Sequence, residues 1–233
     1  MSGIRSRTTD VEAGMKVAAI WRYPIKSMAG EPLDSVVVDA NGLLGDRVVQ
    51  VYDERGRLVT ARTFPRLLRL QGTFASDGEP RVDGFRWDSP ESRDRVEAAV
   101  GAGATLRRFD GPERFDVLPL LVCTDGAVTM FGRDVRRLRP NLLIAGVEKE
   151  VERTWPGATL RLPDAEIRLA DLRGRCVMTT YDPDTVEQNV DVLRDIVRRF
   201  NGRLCLNAQV IRSGGIRTGD LVELRELRAA RQQ

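Results

Sequence analysis

Short apolar runs alternate with turn residues along the first third of this chain. The runs are rich in valine and isoleucine, as half-buried strands are. Asn41-Gly42 is a turn signal, and Glu54-Arg55-Gly56 is typical of the loop between two strands of a hairpin. The predicted strands in this region cover residues 17–21, 35–38, 46–53 and 58–60.

A second block of predicted strands begins near residue 118 and includes one amphipathic helix, which Asn201-Gly202 ends. Five apolar residues recur at helical spacing, and we expect this stripe to pack in the core: Val190, Leu193, Ile196, Val197 and Phe200. Residues 213–220 resemble a barrel-closing hairpin. The predicted strands cover residues 118–122, 141–145, 165–169, 204–211 and 221–224.

Short strands with frequent turns and few helices predict an α+β, mainly β fold. We expect an antiparallel, closed β-barrel core with a few helices. Residues 76–116 are rich in Asp, Gly, Pro and Arg and carry one helix candidate, near residues 93–100. No dinucleotide-binding or nucleoside-triphosphate loop is present in the sequence.

Composition indicates a soluble globular protein of 233 residues, with 42% hydrophobic and 30% charged residues. The net charge of +3 is too small to favour nucleic acid as a partner. Most of the basic residues are arginines, which favour bidentate binding of phosphate or carboxylate. No apolar run approaches the ~18 residues that span a bilayer, and the first 15 residues lack a signal-peptide core. We therefore expect a cytoplasmic protein that does not enter a membrane.

The sequence contains no histidine. This excludes Ser-His-Asp and Cys-His catalysis and imidazole acid–base chemistry at neutral pH. Any proton transfer must use a carboxylate, lysine, tyrosine or water, or else a cofactor must carry the difficult step.

Three cysteines are present, without the Cys-x-x-Cys spacing of iron–sulfur or zinc sites. An odd, small number fits a reducing cytoplasm better than a disulfide scaffold. Cys123 and Cys205 lie in apolar strands, where we expect them to be buried. Cys176 differs because it follows Arg175, whose guanidinium favours the reactive thiolate, and precedes a turn at residues 182–185. We expect it to face a cleft, although a lone cysteine is also commonly a buried apolar residue.

Four separated segments carry polar chemistry in a recognisable order. They are Tyr23–Ser27 with Gly42–Arg47, Thr60–Leu67, Arg139-Pro140-Asn141, and Arg175–Thr185. Together they resemble the MOSC family, the molybdenum-cofactor sulfurase C-terminal domain with its N-terminal β-barrel companion. Within it, the chain is most similar to the mitochondrial amidoxime-reducing components and their bacterial relatives. The resemblance extends over residues 16–224 and implies a disordered lead at 1–15, an N-terminal β-barrel-like domain at 16–116 and a MOSC domain at 117–233.

The resemblance implies a molybdenum cofactor, Mo-molybdopterin, in a groove between the two β portions. Cys176 matches the cysteine that ligates molybdenum and is the expected catalytic residue, since thiolate is a soft ligand. Arginine and lysine suit the pterin phosphate. The expected cofactor-binding residues are Lys26, Ser27, Arg47, Arg139, Asn141, Gly174 and Arg175.

The chain departs from the family pattern at two places. Val117 and Leu118 stand before Pro119 where relatives often carry small hydroxyl residues, and Gly174 stands where they often carry serine. Both changes remove hydroxyl groups that would contact the cofactor. Backbone N–H groups can substitute, because glycine permits a close approach.

The implied activity is reduction of small N-hydroxylated compounds such as amidoximes and hydroxylamines. Electrons must come from a separate ferredoxin or flavoprotein reductase, for which Arg136-Arg137-Arg139 is a candidate docking face. Asp182 is a candidate proton relay, although a turn-stabilising role before Pro183 explains it better. Two alternatives stay open: a molybdenum-cofactor carrier or persulfide sulfur carrier that uses Cys176, and a scaffold that has lost the cofactor.

Overall fold

Strands outnumber helices in the computed structural model, which describes residues 14–109 and 111–225. Residues 1–13 of the predicted disordered lead lie outside these ranges. The described helices are α1 (Pro90–Val100), α2 (Asp125–Phe131) and α3 (Asp191–Phe200). The strands are β1 (Lys16–Arg22), β2 (Glu31–Leu33), β3 (Ser35–Asp39), β4 (Gly42–Leu43), β5 (Val49–Tyr52), β6 (Leu58–Val59), β7 (Gly72–Phe74), β8 (Pro80–Val82), β9 (Phe85–Arg86), β10 (Thr105–Arg108), β11 (Leu120–Thr124), β12 (Leu142–Ala145), β13 (Thr159–Arg161), β14 (Glu166–Gly174), β15 (Arg203–Arg212), β16 (Gly214–Arg217) and β17 (Glu223–Arg225).

The largest sheet has eight strands in the order β17-β13-β14-β15-β11-β12-β1-β2. Only β11 and β12 run parallel, and the other neighbours are antiparallel. Three smaller sheets of three strands complete the fold, in the orders β10-β5-β6, β16-β3-β4 and β7-β8-β9. The mainly β, α+β prediction is confirmed. The first two strands of the chain belong to the same sheet as strands from its second half.

The expected closed barrel is not present among the described residues. The ends of the large sheet do approach each other, because the Val17 N–H donates to the Asp220 carbonyl at 2.9 Å and the Val222 N–H donates to the Met15 carbonyl at 2.8 Å. However, β2 pairs with this edge of β1 further along the strand, at Ile20. Because β2 and the segment near Asp220 share one edge of β1, no continuous ladder of hydrogen bonds closes the sheet among the described residues.

The hairpin predicted at residues 213–220 is wrong. β16 pairs with β3 from the first third of the chain rather than with a sequence neighbour, and β17 pairs with β13. Gly214 permits this change of sheet, since a Cβ there would lie 2.0 Å from the Asp164 carbonyl oxygen. A close backbone approach of this kind has no signature in apolar spacing.

Helix α3 buries a narrower stripe than predicted. Val192, Ile196 and Phe200 are buried, whereas Val190 is 45% exposed and Val197 is 57% exposed. The buried residues follow an i, i+4, i+8 row on one side of the helix. The expectation of a five-residue core stripe is therefore wrong for Val190 and Val197. Helix α2, capped by the Thr124 side chain, was not predicted because its seven residues are too short to show a period.

Cys123 and Cys205 are buried, as predicted, but they are not free thiols. They form a disulfide with a Cα–Cα distance of 4.6 Å. Antiparallel β11 and β15 pair Val122 with Leu206, which places the two cysteines opposite each other one step further along. The cysteines are 82 residues apart in sequence, so spacing alone did not reveal the pair. None of the helices in the described ranges has both the length and the hydropathy to cross a membrane.

Candidate functional site

One pocket brings together the expected catalytic cysteine and all seven expected cofactor-binding residues. Its empty volume is about 810 Å³, counting open solvent at the mouth. The loop after β1, the turn before β5, the segment before β12 and the end of β14 each contribute to its wall. The predicted residues that line it are Lys26, Ser27, Arg47, Arg139, Asn141, Gly174, Arg175 and Cys176.

Cys176 lies at the pocket wall just after β14 ends. It is a free, partly exposed cysteine and precedes a short 3₁₀ turn, Val177–Thr180. The Thr179 N–H and hydroxyl both donate to the Cys176 carbonyl, at 3.1 and 2.9 Å, and they fix the backbone. The Arg62 guanidinium lines the same pocket and is close enough to interact electrostatically with Cys176. The cysteine therefore lies on the pocket wall near a cation.

Three of the pocket residues hold left-handed backbone conformations although none is glycine. The φ angles are 72° at Ser27, 56° at Arg47 and 53° at Arg139. Such conformations cost free energy and persist only where the surroundings enforce them, which happens most often at functional sites. The strain thus coincides with the residues that the sequence motifs selected.

Two arginines stack on the ring of Tyr23. The guanidinium carbon of Arg139 lies 4.2 Å from the ring centroid and that of Arg47 lies 5.0 Å from it. An Nη atom of Arg139 also donates to the Met28 carbonyl at 2.7 Å. Burial lowers the pKa of Arg139 to about 10 and raises the pKa of Tyr23 to about 12. Desolvation thus outweighs the favourable charges near Arg139, and an additional anion would stabilise its guanidinium.

A buried carboxylate, Asp46, organises the same side of the pocket. It forms an ion pair with Arg47 and accepts hydrogen bonds from the Tyr23 N–H at 2.7 Å and from the Asn141 amide at 3.2 Å. The Asn141 amide oxygen accepts from the Leu121 N–H at 3.1 Å. Asn141 is therefore held by both β11 and Asp46, which orients its amide.

Arg175 has a buried nitrogen without a partner. One Nη atom donates to the Leu138 carbonyl at 2.6 Å, but Nε has no hydrogen-bond partner among the described residues. Burial, with a smaller effect of the neighbouring Arg173, lowers the pKa of Arg175 to about 10. An unpaired buried donor is costly. This nitrogen is therefore suited to an acceptor group of a ligand.

A second group of charges lies next to Cys176, and we call it the Asp116 cluster: Asp116 with Lys26, Arg62 and Arg173. Lys26 Nζ lies 2.8 Å from the Asp116 carboxylate, Arg173 lies 3.6 Å from it, and Arg62 forms an ion pair with it. Desolvation acts to raise the pKa of Asp116, but the Lys26 hydrogen bond and the three cations outweigh it and lower that pKa. The carboxylate is thus ionised at neutral pH.

Sequence reasoning identified only Lys26 of this cluster. Arg62 belongs to the Thr60–Leu67 motif, which was noted without assigning a role to its arginine. Asp116 and Arg173 directly precede the two places where the chain departs from the family pattern. Their position beside these departures was the one sequence signal that could have identified them. At those departures Val117 is 55% exposed, whereas Leu118 and Gly174 line the pocket. A Cβ at Gly174 would meet no atom within 4 Å, so the space of a larger side chain is present there.

The arginines expected to form a docking face are compensated by acids. Arg136 forms ion pairs with Asp134 and Asp184, each at 2.7 Å. Arg137 pairs with Asp182 at 2.8 Å. The Asp182 carboxylate also accepts from the backbone N–H groups of residues 184 and 185 at 3.0 Å, which is the turn-stabilising role. This face carries little net positive charge.

Within the residues that the structure describes, no group of three or more Cys, Asp or Glu side chains is placed to hold a metal ion.

Two family models match the chain. The MOSC N-terminal beta barrel domain matches residues 14–95, and the MOSC domain matches residues 128–223. The chain belongs to the MOSC-domain proteins. It is similar to mitochondrial amidoxime reducing component 2 of Macaca fascicularis, at 26% identity, and to mitochondrial amidoxime-reducing component 1 of Homo sapiens, at 25% identity. In each case 72% of this chain and 67% of the relative are covered.

The fold is also similar to a solved structure. The crystal structure of the YUAD protein from Bacillus subtilis superposes with a TM-score of 0.50 at 12% identity, over 92% of this chain and 97% of that chain. At this identity, the likeness concerns the fold alone.

Proposed function

We propose that this chain binds a molybdenum–molybdopterin cofactor in the pocket and reduces small N-hydroxylated compounds. The observation that carries the proposal is a free, partly exposed cysteine in a pocket with a large excess of positive charge. One carboxylate, Asp116, lines the pocket within the described residues. Seven cationic side chains line it: Lys26, Arg47, Arg62, Arg137, Arg139, Arg173 and Arg175. The relatives named for amidoxime reduction supply the reaction class.

The residues present fit the cofactor. Its phosphate is a dianion, and the buried Nε of Arg175 is a donor without an acceptor among the described residues. Arg47 and Arg139 line the same pocket and add two further guanidinium groups. Lys26 and Ser27 add a point charge and a hydroxyl at the same wall. Cys176 supplies the single soft ligand that a pterin-chelated metal needs from the protein. The Asn141 amide is already bonded to Asp46, to the Trp21 carbonyl and to the Leu121 N–H, so this residue supports the pocket wall.

When bound, the cofactor supplies two-electron redox chemistry that no side chain of this protein can perform. The overall reaction takes R–NH–OH, two electrons and two protons to R–NH₂ and water. The electrons come from a separate ferredoxin or flavoprotein reductase. Arg62 places a positive charge in the pocket that Cys176 lines. Because Asp116 has a lowered pKa, it orients donors at neutral pH and does not itself donate a proton, so the two protons come from water.

Metal analysis tests the proposal directly. The full chain is expressed in a molybdenum-competent host, and molybdenum, pterin and N-hydroxy reductase activity are measured with an artificial electron donor. We expect stoichiometric molybdenum that Cys176→Ser abolishes, together with activity. Thr129→Ser is a control for expression, since Thr129 lies on α2 outside the pocket. Metal-free, inactive wild-type protein would refute the proposal.

A sulfur-carrier function is the second candidate, because the cations that line the pocket with Cys176 would also stabilise a persulfide. It predicts a labile sulfane sulfur on Cys176 in metal-free protein, measured by release with cyanide. The scaffold alternative predicts neither metal nor sulfane sulfur.

A further inference from the structure

The Asp116 cluster carries more positive charge than it needs to bind its own carboxylate. Lys26, Arg62 and Arg173 surround one Asp116 side chain. The Lys26 Nζ is already committed to Asp116 at 2.8 Å and to the Arg114 carbonyl at 2.7 Å. The excess therefore resides on the two arginines, which both approach the Oδ2 oxygen of the carboxylate.

Both arginines line the pocket and are partly accessible to solvent. The side chain of Arg62 is 41% exposed and that of Arg173 is 21% exposed. Arg173 donates from one Nη to the Asn207 amide oxygen at 3.2 Å, and its Nε has no protein acceptor among the described residues. A guanidinium has five N–H donors in a planar fork, so each arginine retains donors that can reach a ligand.

The position of Arg62 connects this charge to the reacting centre of the proposed function. Its guanidinium forms an ion pair with the Asp116 carboxylate and lines the same pocket as Cys176. A ligand bound by Arg62 and Arg173 therefore lies in the pocket that contains the Cys176 sulfur. The cluster also shows which chemistry it binds, since it already holds a carboxylate of its own chain.

We propose that Arg62 and Arg173 form an anion subsite beside Cys176, which selects substrates that carry a carboxylate or a phosphate group. Asp116 competes with the incoming anion for the same donors and limits its affinity. The substrate class of the proposed function, on which this inference rests, is thereby narrowed to anionic N-hydroxylated compounds. Arginine forks bind both oxyanions bidentately, and like charge disfavours cationic substrates.

Alkylation of Cys176 tests the subsite without cofactor or activity. Iodoacetate, an anion, and iodoacetamide, which is neutral, modify the same sulfur, and the full chain expressed without molybdenum has Cys176 as its free thiol because Cys123 and Cys205 form a disulfide. We expect the iodoacetate-to-iodoacetamide rate ratio to exceed that of free cysteine by about tenfold, which corresponds to about 1.4 kcal/mol. Arg173→Gln should abolish the excess, and Asp116→Asn should increase it.

The control is Arg57→Gln, at an exposed arginine that pairs with Asp53 away from the pocket. It should leave the ratio unchanged. A wild-type ratio equal to that of free cysteine, or a ratio that Arg173→Gln does not change, would overturn the proposal. A cooperative thermal unfolding transition of the Arg173→Gln protein, at a Tm close to that of the wild type, shows that the variant has folded.

A second measurement separates this inference from the proposed function. The molybdenum-loaded protein is assayed with benzamidoxime and with its carboxylate and phosphate derivatives. We expect kcat/KM to favour the anionic substrates by about tenfold, and Arg173→Gln to remove the preference. Activity without that preference would refute the subsite alone. The expected alkylation ratio in a protein without reductase activity would refute the proposed function and leave the anion subsite standing. The two derivatives show which oxyanion is preferred.

Discussion

Replacing Arg139 by glutamine should reduce cofactor binding without destabilising the cofactor-free protein. Burial lowers the pKa of Arg139 from 12.5 to about 10, and a lowering of that size corresponds to about 3 kcal/mol. Below pH 10 the guanidinium is charged in both the folded and the unfolded state, so folding at neutral pH carries this cost. A neutral glutamine at position 139 removes this desolvation cost. Residual solvent contact of Arg139 makes about 3 kcal/mol an upper bound.

The same substitution removes favourable contacts of comparable size. The bond to the Met28 carbonyl contributes about 1.5–3 kcal/mol as a charged hydrogen bond, and stacking on Tyr23 contributes about 1 kcal/mol. Gain and loss cancel to within about 1 kcal/mol, which for a chain of this size is about 2–4 °C in Tm. Loss of a charged bond to the cofactor phosphate has no such compensation, so retention of molybdenum should fall by at least about tenfold.

Thermal unfolding of protein made without molybdenum, and metal analysis of protein made with it, measure the two effects. The matched control is Arg153→Gln, because Arg153 also donates to carbonyl oxygens, those of Arg203 and Phe200, but lies outside the pocket. The control should keep its molybdenum. A fall in Tm of the cofactor-free Arg139→Gln protein by more than about 8 °C, with the molybdenum content preserved, would show that Arg139 is structural and would refute the reasoning.

Gly174→Ser should raise molybdenum retention by about two- to tenfold, because a hydroxyl fits the open space there and can form one hydrogen bond; Gly215→Ser, equally unobstructed but outside the pocket, is its control, and no gain at position 174 would contradict the expectation. Replacing Cys123 and Cys205 by alanine should lower the free energy of unfolding by about 2–4 kcal/mol in urea, whereas unchanged stability would show that the disulfide does not form. Asp116→Asn should be less stable than wild type by a difference that is constant from about pH 5 to 8. Since the folded pKa of Asp116 is lowered, its contribution is present above its unfolded pKa and is lost as the pH falls through the folded pKa. A difference that persists at about pH 2 would contradict this assignment.

Local patterns predicted the strands well and the connections between them poorly. Valine-rich runs identified β1 and β3 because a half-buried strand imposes its period on the sequence. The pairing of β3 with β16, across most of the chain, depends on Gly214 meeting the Asp164 carbonyl. Distant backbone contacts of this kind leave no local pattern, and this explains why the closed barrel and the hairpin at residues 213–220 were wrong.

The candidate site shows the same difference between local motifs, which were predicted, and long-range contacts, which were not. Residues within short motifs, such as Arg139 and Cys176, were selected and lie on one pocket. Asp116 and Arg173 stand outside those motifs, and their importance arises from ion pairs that form only after folding. Likewise, Cys123 and Cys205 are paired by strand register, which one sequence does not display.

The sharing of one sheet between the two halves of the chain bears on how such proteins can be dissected. β12 pairs on one side with β11 and on the other with β1. A fragment that starts after residue 116 would leave β12 as a bare edge of unpaired N–H and carbonyl groups, which invites association with other chains. It would also lose Lys26, Arg47 and Arg62 from the pocket. The two halves therefore depend on each other, and neither can be moved into another protein without losing part of the sheet and part of the pocket.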